Sequence, residues 1–129
     1  MKKHICIDVE NANEILAYIN RDERHKKKFN YIIALILSNK KISELYDKED
    51  ISDNCKAVTA MKFFKGQEND RLYCKELRGR NGTFYIVTAE LLEKKKDTKV
   101  RNGKTKNIIT KVASYEYEII RPENTESEL

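Results

Sequence analysis

One proline and four glycines in 129 residues leave this chain without the kind of linker that separates domains. Its length suits one hydrophobic core and is too short for two. Three cysteines, Cys6, Cys55 and Cys74, are widely spaced with no CxxC pair. That spacing excludes a disulfide scaffold and a cysteine zinc site, and it fits a reducing cytoplasm. Each cysteine reads as a small buried apolar residue. No apolar run approaches the ~20 residues of a membrane span, and the longest, Tyr31–Leu37, suits a core helix. Polar and acidic residues follow Ile7, so no secretory leader is expected. Tryptophan is absent, and the two histidines, His4 and His25, both lie near the N-terminus. A glycine-rich phosphate loop, HExxH, GxSxG and Cys/His ligand spacings are all missing, so no metal or cofactor is expected.

What the chain has in excess is charge. Charged residues make up 36% against 40% hydrophobic, which describes a folded domain with a heavily charged surface. The net charge is +5, yet Lys94 to Lys111 alone carries eight Lys/Arg against the single acid Asp97, a local +7. Such a concentration is suited to an anion, above all a nucleic-acid backbone.

Apolar periodicity predicts an α+β domain over residues 1–121 and an acidic, loose tail over 122–129. Alternation over His4–Val9 predicts a strand. Asn11 or Asn13 can cap a helix in which Ile15, Leu16 and Ile19 share a face. A second helix is expected over Arg24–Ser38, with Phe29, Ile32, Ile33, Ile36 and Leu37 inward. Arg24–Lys28 then reads as a plain charged helix start, although it could also extend an RNA track. Ile42–Lys56 carries no clear period; a short helix at Ser43–Tyr46 and a solvated loop holding Asp47, Glu49, Asp50 and Asp53 are expected. Val58–Phe64, Arg71–Leu77 and Thr83–Leu92 read as a three-stranded antiparallel meander, with Asn81-Gly82 marking a hairpin. A short C-terminal helix with Ile108, Ile109, Val112 and Tyr115 on one face closes the pattern.

The order strand, two helices, three antiparallel strands, basic loop and helix resembles the RelE/ParE superfamily of bacterial toxins, with its HigB-like and phage-related members. The resemblance is carried by Met61-Lys62-Phe63-Phe64-Lys65, by Asp70-Arg71-Leu72-Tyr73, and by Glu93-Lys94-Lys95-Lys96 followed by Thr98 and the basic Lys99–Lys111. It is best over residues ~55–118. It implies a RelE-like fold and a toxin component of a toxin–antitoxin system: a metal-independent endoribonuclease that cleaves ribosome-associated mRNA and is neutralised by a cognate antitoxin. A non-catalytic RNA- or DNA-binding module of phage or mobile-element origin, and a gyrase-directed ParE-like toxin, are the alternatives.

Metal-free RNA cleavage needs a base for the ribose 2′-proton, an acid for the leaving 5′-oxygen and cations for the phosphate. Histidine ordinarily fills the proton roles. With none in this half of the chain, a lysine whose pKa is lowered by cationic neighbours must serve. The resemblance points to Lys62 and Lys65, to Arg71 as phosphate clamp, to Lys94 or Lys95, and to Tyr117 or Tyr115 for stacking or proton transfer. Lys96, Lys99, Arg101, Lys104 and Lys106 would hold the RNA backbone. Each has a structural alternative. Lys62 and Lys65 suit the solvated face of an edge strand, Arg71 can pair with Glu90 or Glu93, the lysine block can be a solubilising turn, and Tyr115 can be core.

Overall fold

A computed structural model describes residues 2–49, 51–94 and 103–120 as one five-stranded mixed sheet with helices on both faces. The strands are β1 (Lys3–Ile7), β2 (Tyr46–Lys48), β3 (Val58–Phe63), β4 (Asp70–Arg78) and β5 (Phe84–Leu92). The helices are α1 (Ala12–Ile19), α2 (Glu23–Leu37) and α3 (Gly103–Ser114). The sheet order is β1-β5-β4-β3-β2, with β1 parallel to β5 and every other pair antiparallel.

The α+β class is therefore as the sequence indicates, and β3, β4 and β5 are consecutive antiparallel neighbours. The strand count is not. The stretch expected to hold a short helix at Ser43–Tyr46 instead yields β2, an edge strand of three residues paired to β3. A single 3-10 turn, Asp53–Cys55, follows. Glu49, expected in a solvated loop, is 6% exposed, because its amide continues the ladder by donating to the Val58 carbonyl.

Alternation along the strands divides the core. Met61, Phe63, Leu72, Cys74 and Ile86 face α1 and α2, where they meet Ile15, Tyr18, Ile32 and Ile36. Val58, Ala60, Tyr73, Ala89 and Leu92 face α3 and meet Ile109, Val112 and Cys55. Leu16 and Leu37, expected inward, are exposed, and Tyr18 and His25 are buried in their helices instead. The register slips between Tyr73↔Glu90 and Cys74↔Thr88, so Ala89 is an extra residue. This bulge turns both Ala89 and Glu90 toward the α3 side.

Polar side chains close the elements. Asp22 caps α2 by accepting the His25 amide, one residue earlier than the basic run suggests. Asn39, at φ 62, ends the same helix in a left-handed turn. Asn11 occupies the cap position of α1 without capping it; its amide nitrogen reaches across to the Ala89 carbonyl at 2.7 Å and to Glu90 at 3.1 Å. Helix α3 stops at Ser114, before the Tyr115 expected on its apolar face. There Lys75 of β4 donates to the carbonyls of Ala113 and Tyr115, satisfying groups the helix end leaves open. Lys75→Met should therefore destabilise the fold by about 2 kcal/mol. Amide exchange in α3 should accelerate more than in β3; equal acceleration of both would refute a local role for Lys75.

Candidate nucleic-acid interface

The register of β3 and β4 places Lys62 directly opposite Arg71, and that of β4 and β5 places Arg71 opposite Leu92. By strand alternation all three project to the α3 side. Arg71 is 6% exposed and donates from Nη1 to the Asp70 carbonyl at 3.1 Å. Lys62 is half-buried and donates to the Ser43 carbonyl at 2.9 Å. Burial pulls its ammonium below the ordinary lysine pKa, and the charges of Arg71 and Lys65 add to that, while Glu49 and Asp47 oppose it. The edge-strand reading fits neither lysine, since β3 lies between β2 and β4 and ends before Lys65; only the solvation expected of Lys65 is found. Lys65 sits exposed in the β3–β4 turn, whose three left-handed residues, Phe64, Gly66 and Asn69, fold the chain sharply back.

Asp70 organises the same end of the sheet from the other face. It is 2% exposed and accepts the Tyr18 hydroxyl at 2.6 Å and the Lys94 amide at 2.8 Å. The Lys94 backbone is thereby held at φ 57, just beyond the end of β5, with its side chain exposed. Glu93 forms a two-pronged ion pair with Arg21, and Glu90 is taken up by Tyr115, Asn11 and Lys111. Lys104 and Lys106 are exposed on α3. Lys95, Lys96, Lys99 and Arg101 lie outside the described residues, as does the 122–129 tail.

Tyr117 is placed elsewhere. Its hydroxyl donates to Asp8 at 2.6 Å, just past the end of β1, and burial and that carboxylate raise its pKa. β1 and β3 are separated by β5 and β4, about 14 Å by the usual strand spacing. Tyr115 likewise donates to Glu90, with burial and that contact raising its pKa. Neither tyrosine meets Lys62 or Arg71 in this arrangement.

Two features were missed from the sequence. His25 is buried edge-on against Tyr18 and Phe64, with Nδ1 2.6 Å from Asp22, at the same end of the sheet as the β3–β4 turn. Flanking cations conceal it in the sequence, where only its spacing four residues before Phe29 hints at an inward face. Secondly, the Arg24 guanidinium lies 3.6 Å over the Phe64 ring while pairing with Glu68. With Lys27, Lys28 and the half-exposed Tyr31 it lines an open groove of about 540 Å³. The α2 start is therefore more than a plain charged turn: it carries basic and aromatic surface past the β3–β4 turn. Comparison with family models, with curated proteins and with solved structures finds no match to this chain.

Proposed function

We propose that the protein is a RelE-like toxin component that cleaves ribosome-associated mRNA without a metal ion, in the cytoplasm, under control of an antitoxin. The single observation supporting this reading is the Lys62–Arg71 pair: an amine shifted toward its neutral form, beside a guanidinium, at the sheet end nearest the lysine-rich segment. In this reading neutral Lys62 takes the 2′-proton and Arg71 stabilises the phosphorane charge. Lys65, Lys94 and Lys95 surround the phosphate, and one of their ammonium groups protonates the leaving 5′-oxygen. The backbone is held by Lys96, Lys99, Arg101, Lys104 and Lys106. Tyr117, tied to Asp8, is assigned to positioning Asp8 rather than to proton transfer. No helix among the described residues is long and apolar enough to cross a membrane.

The basic and aromatic groove at Arg24, Lys27, Lys28, Tyr31 and Phe64 favours a second reading, a binding module that holds single-stranded nucleic acid without cutting it. Induced expression separates the two. Growth arrest with new mRNA 5′ ends, both relieved in Lys62→Met at equal soluble protein, is the expected result. Normal growth with intact RNA from folded wild type would refute the nuclease and leave the binder.

A further inference from the structure

On the α2 side, at the end of the sheet away from the β3–β4 turn, the strands run out past the last turn of α2. The floor left there is built from one row of side chains: Lys48 and Tyr46 of β2, Thr59 of β3, Glu76 and Arg78 of β4, Phe84 of β5 and Lys3 of β1. Lys40 and Lys41, delivered by the left-handed turn at Asn39, form the roof with Ile36. The cleft is open on one side and holds about 840 Å³, within the usual size of small-molecule sites.

Its charge is unbalanced. Lys3, Lys40, Lys41, Lys48 and Arg78 line it against only Asp47 and Glu76. Among the described residues none of the five cations is in an ion pair, whereas Arg21 and Arg24 on the same side of the sheet are each paired. Lys3 instead donates to the Ile36 carbonyl at 3.1 Å, and Arg78 rests over the Phe84 ring at 5.7 Å. The centre is built differently. Thr59 donates to the Tyr46 hydroxyl at 2.7 Å, and Tyr46 donates to Glu76 Oε2 at 2.6 Å. This chain of donors fixes the carboxylate and leaves Oε1 to accept from a guest. The partly buried rings of Tyr46 and Phe84 and the side chain of Ile36 supply flat apolar surface.

We infer that this cavity is a nucleotide-binding site, its rim lysines and Arg78 meeting phosphates and Glu76 meeting sugar hydroxyls. A phosphate alone would satisfy the rim and leave the carboxylate facing an anion. A nucleoside alone would leave the cations unmatched. A molecule carrying both groups answers both. The site is separate from the Lys62–Arg71 pair, which projects from the opposite face of the sheet, so its occupancy does not depend on RNA cleavage.

Titration of the full chain with ADP, inorganic phosphate and adenosine in separate arms, followed by amide chemical shifts, tests the inference. ADP is expected to shift the amides of Tyr46, Thr59, Arg78 and Phe84 and to bind more tightly than phosphate or adenosine. Lys40→Ala/Lys41→Ala, both exposed and without packing roles, should weaken ADP on the order of ten-fold. Glu76→Gln should weaken ADP while leaving phosphate no weaker, since it removes a carboxylate that faces the anion. ADP binding no tighter than phosphate would overturn a nucleotide as the ligand. Shifts confined to Lys62 and Arg71, or none at about millimolar ADP, would overturn the site itself.

Discussion

Under the proposed nuclease function, Lys62→Met is expected to lower the rate of RNA cleavage by about 10²–10⁴-fold, the usual range for removing a general base, with little change in RNA affinity. In that proposal the side chain would contribute one charge among many to binding, and affinity would rest on the exposed lysines around it. Its chemical value depends on losing a proton, which burial and the neighbouring cations make easier than for a lysine in water. The sign follows. The neutral amine becomes populated as pH rises through a value below the ordinary 10.5, so the wild-type rate should climb with pH across that limb. In Lys62→Met the limb should vanish. Arg71→Lys keeps a charge opposite residue 62 but loses the planar fork, and should reduce cleavage without moving the limb. Single-turnover cleavage of a labelled RNA across pH reads both effects. An unchanged rate and pH profile in a folded Lys62→Met protein would remove Lys62 from the chemistry.

The largest loss of stability is expected from Asp70→Ala. Asp70 is 2% exposed and receives two donors, from the wall-to-wall buried Tyr18 hydroxyl and from the Lys94 amide. Truncation removes both acceptors and leaves the Tyr18 hydroxyl buried without one. Two such losses should total about 3–5 kcal/mol, since each stranded donor costs ~1–3 kcal/mol and bonds to an ionised partner lie at the high end. Asp70→Asn retains an oxygen for the Lys94 amide and an NH₂ for the Tyr18 oxygen, strands only the Tyr18 proton, and should cost less, about 1–3 kcal/mol. Urea unfolding distinguishes them. Equal midpoints for Asp70→Ala and Asp70→Asn would show that the carboxylate itself matters at this position, and not the side-chain size or the hydrogen bonds that an amide can keep. Asp70→Asn should also leave cleavage nearly intact, because the Lys94 backbone stays where it is.

Legibility in the sequence followed the reach of each interaction. The strands β3, β4 and β5 announce themselves within one or two residues because alternation and turn residues are local properties. β2 does not: Tyr46-Asp47-Lys48 is an edge strand whose two charged residues are exposed, so no apolar period marks it. Helix α3 was extended too far because Tyr115 falls three residues after Val112, a spacing compatible with another turn. Lys75, forty residues away in sequence, captures the carbonyls there instead. The same holds for the candidate site. The resemblance suggested Lys62 and Arg71, but their pairing face to face is a matter of register. Tyr117 was drawn toward them by resemblance, and a long-range bond to Asp8 places it at the β1 edge of the sheet, two strands away from Arg71 on the same face. His25 was hidden by its charged neighbours, since burial of a polar ring is decided by the α1–α2 packing and the β3–β4 turn.

The parallel pairing of β1 with β5 also sets an order of assembly on the ribosome. Lys3 finds its partner only when Phe84 has emerged, and Ile7 only with Thr88. Until then the first strand, and the apolar sides of α1 and α2 that complete their packing against it, remain without their mates. A nascent chain arrested before β5 should consequently stay open to proteases however long it waits, and closure should come late and in one step, as expected where the decisive contacts join distant parts of a chain.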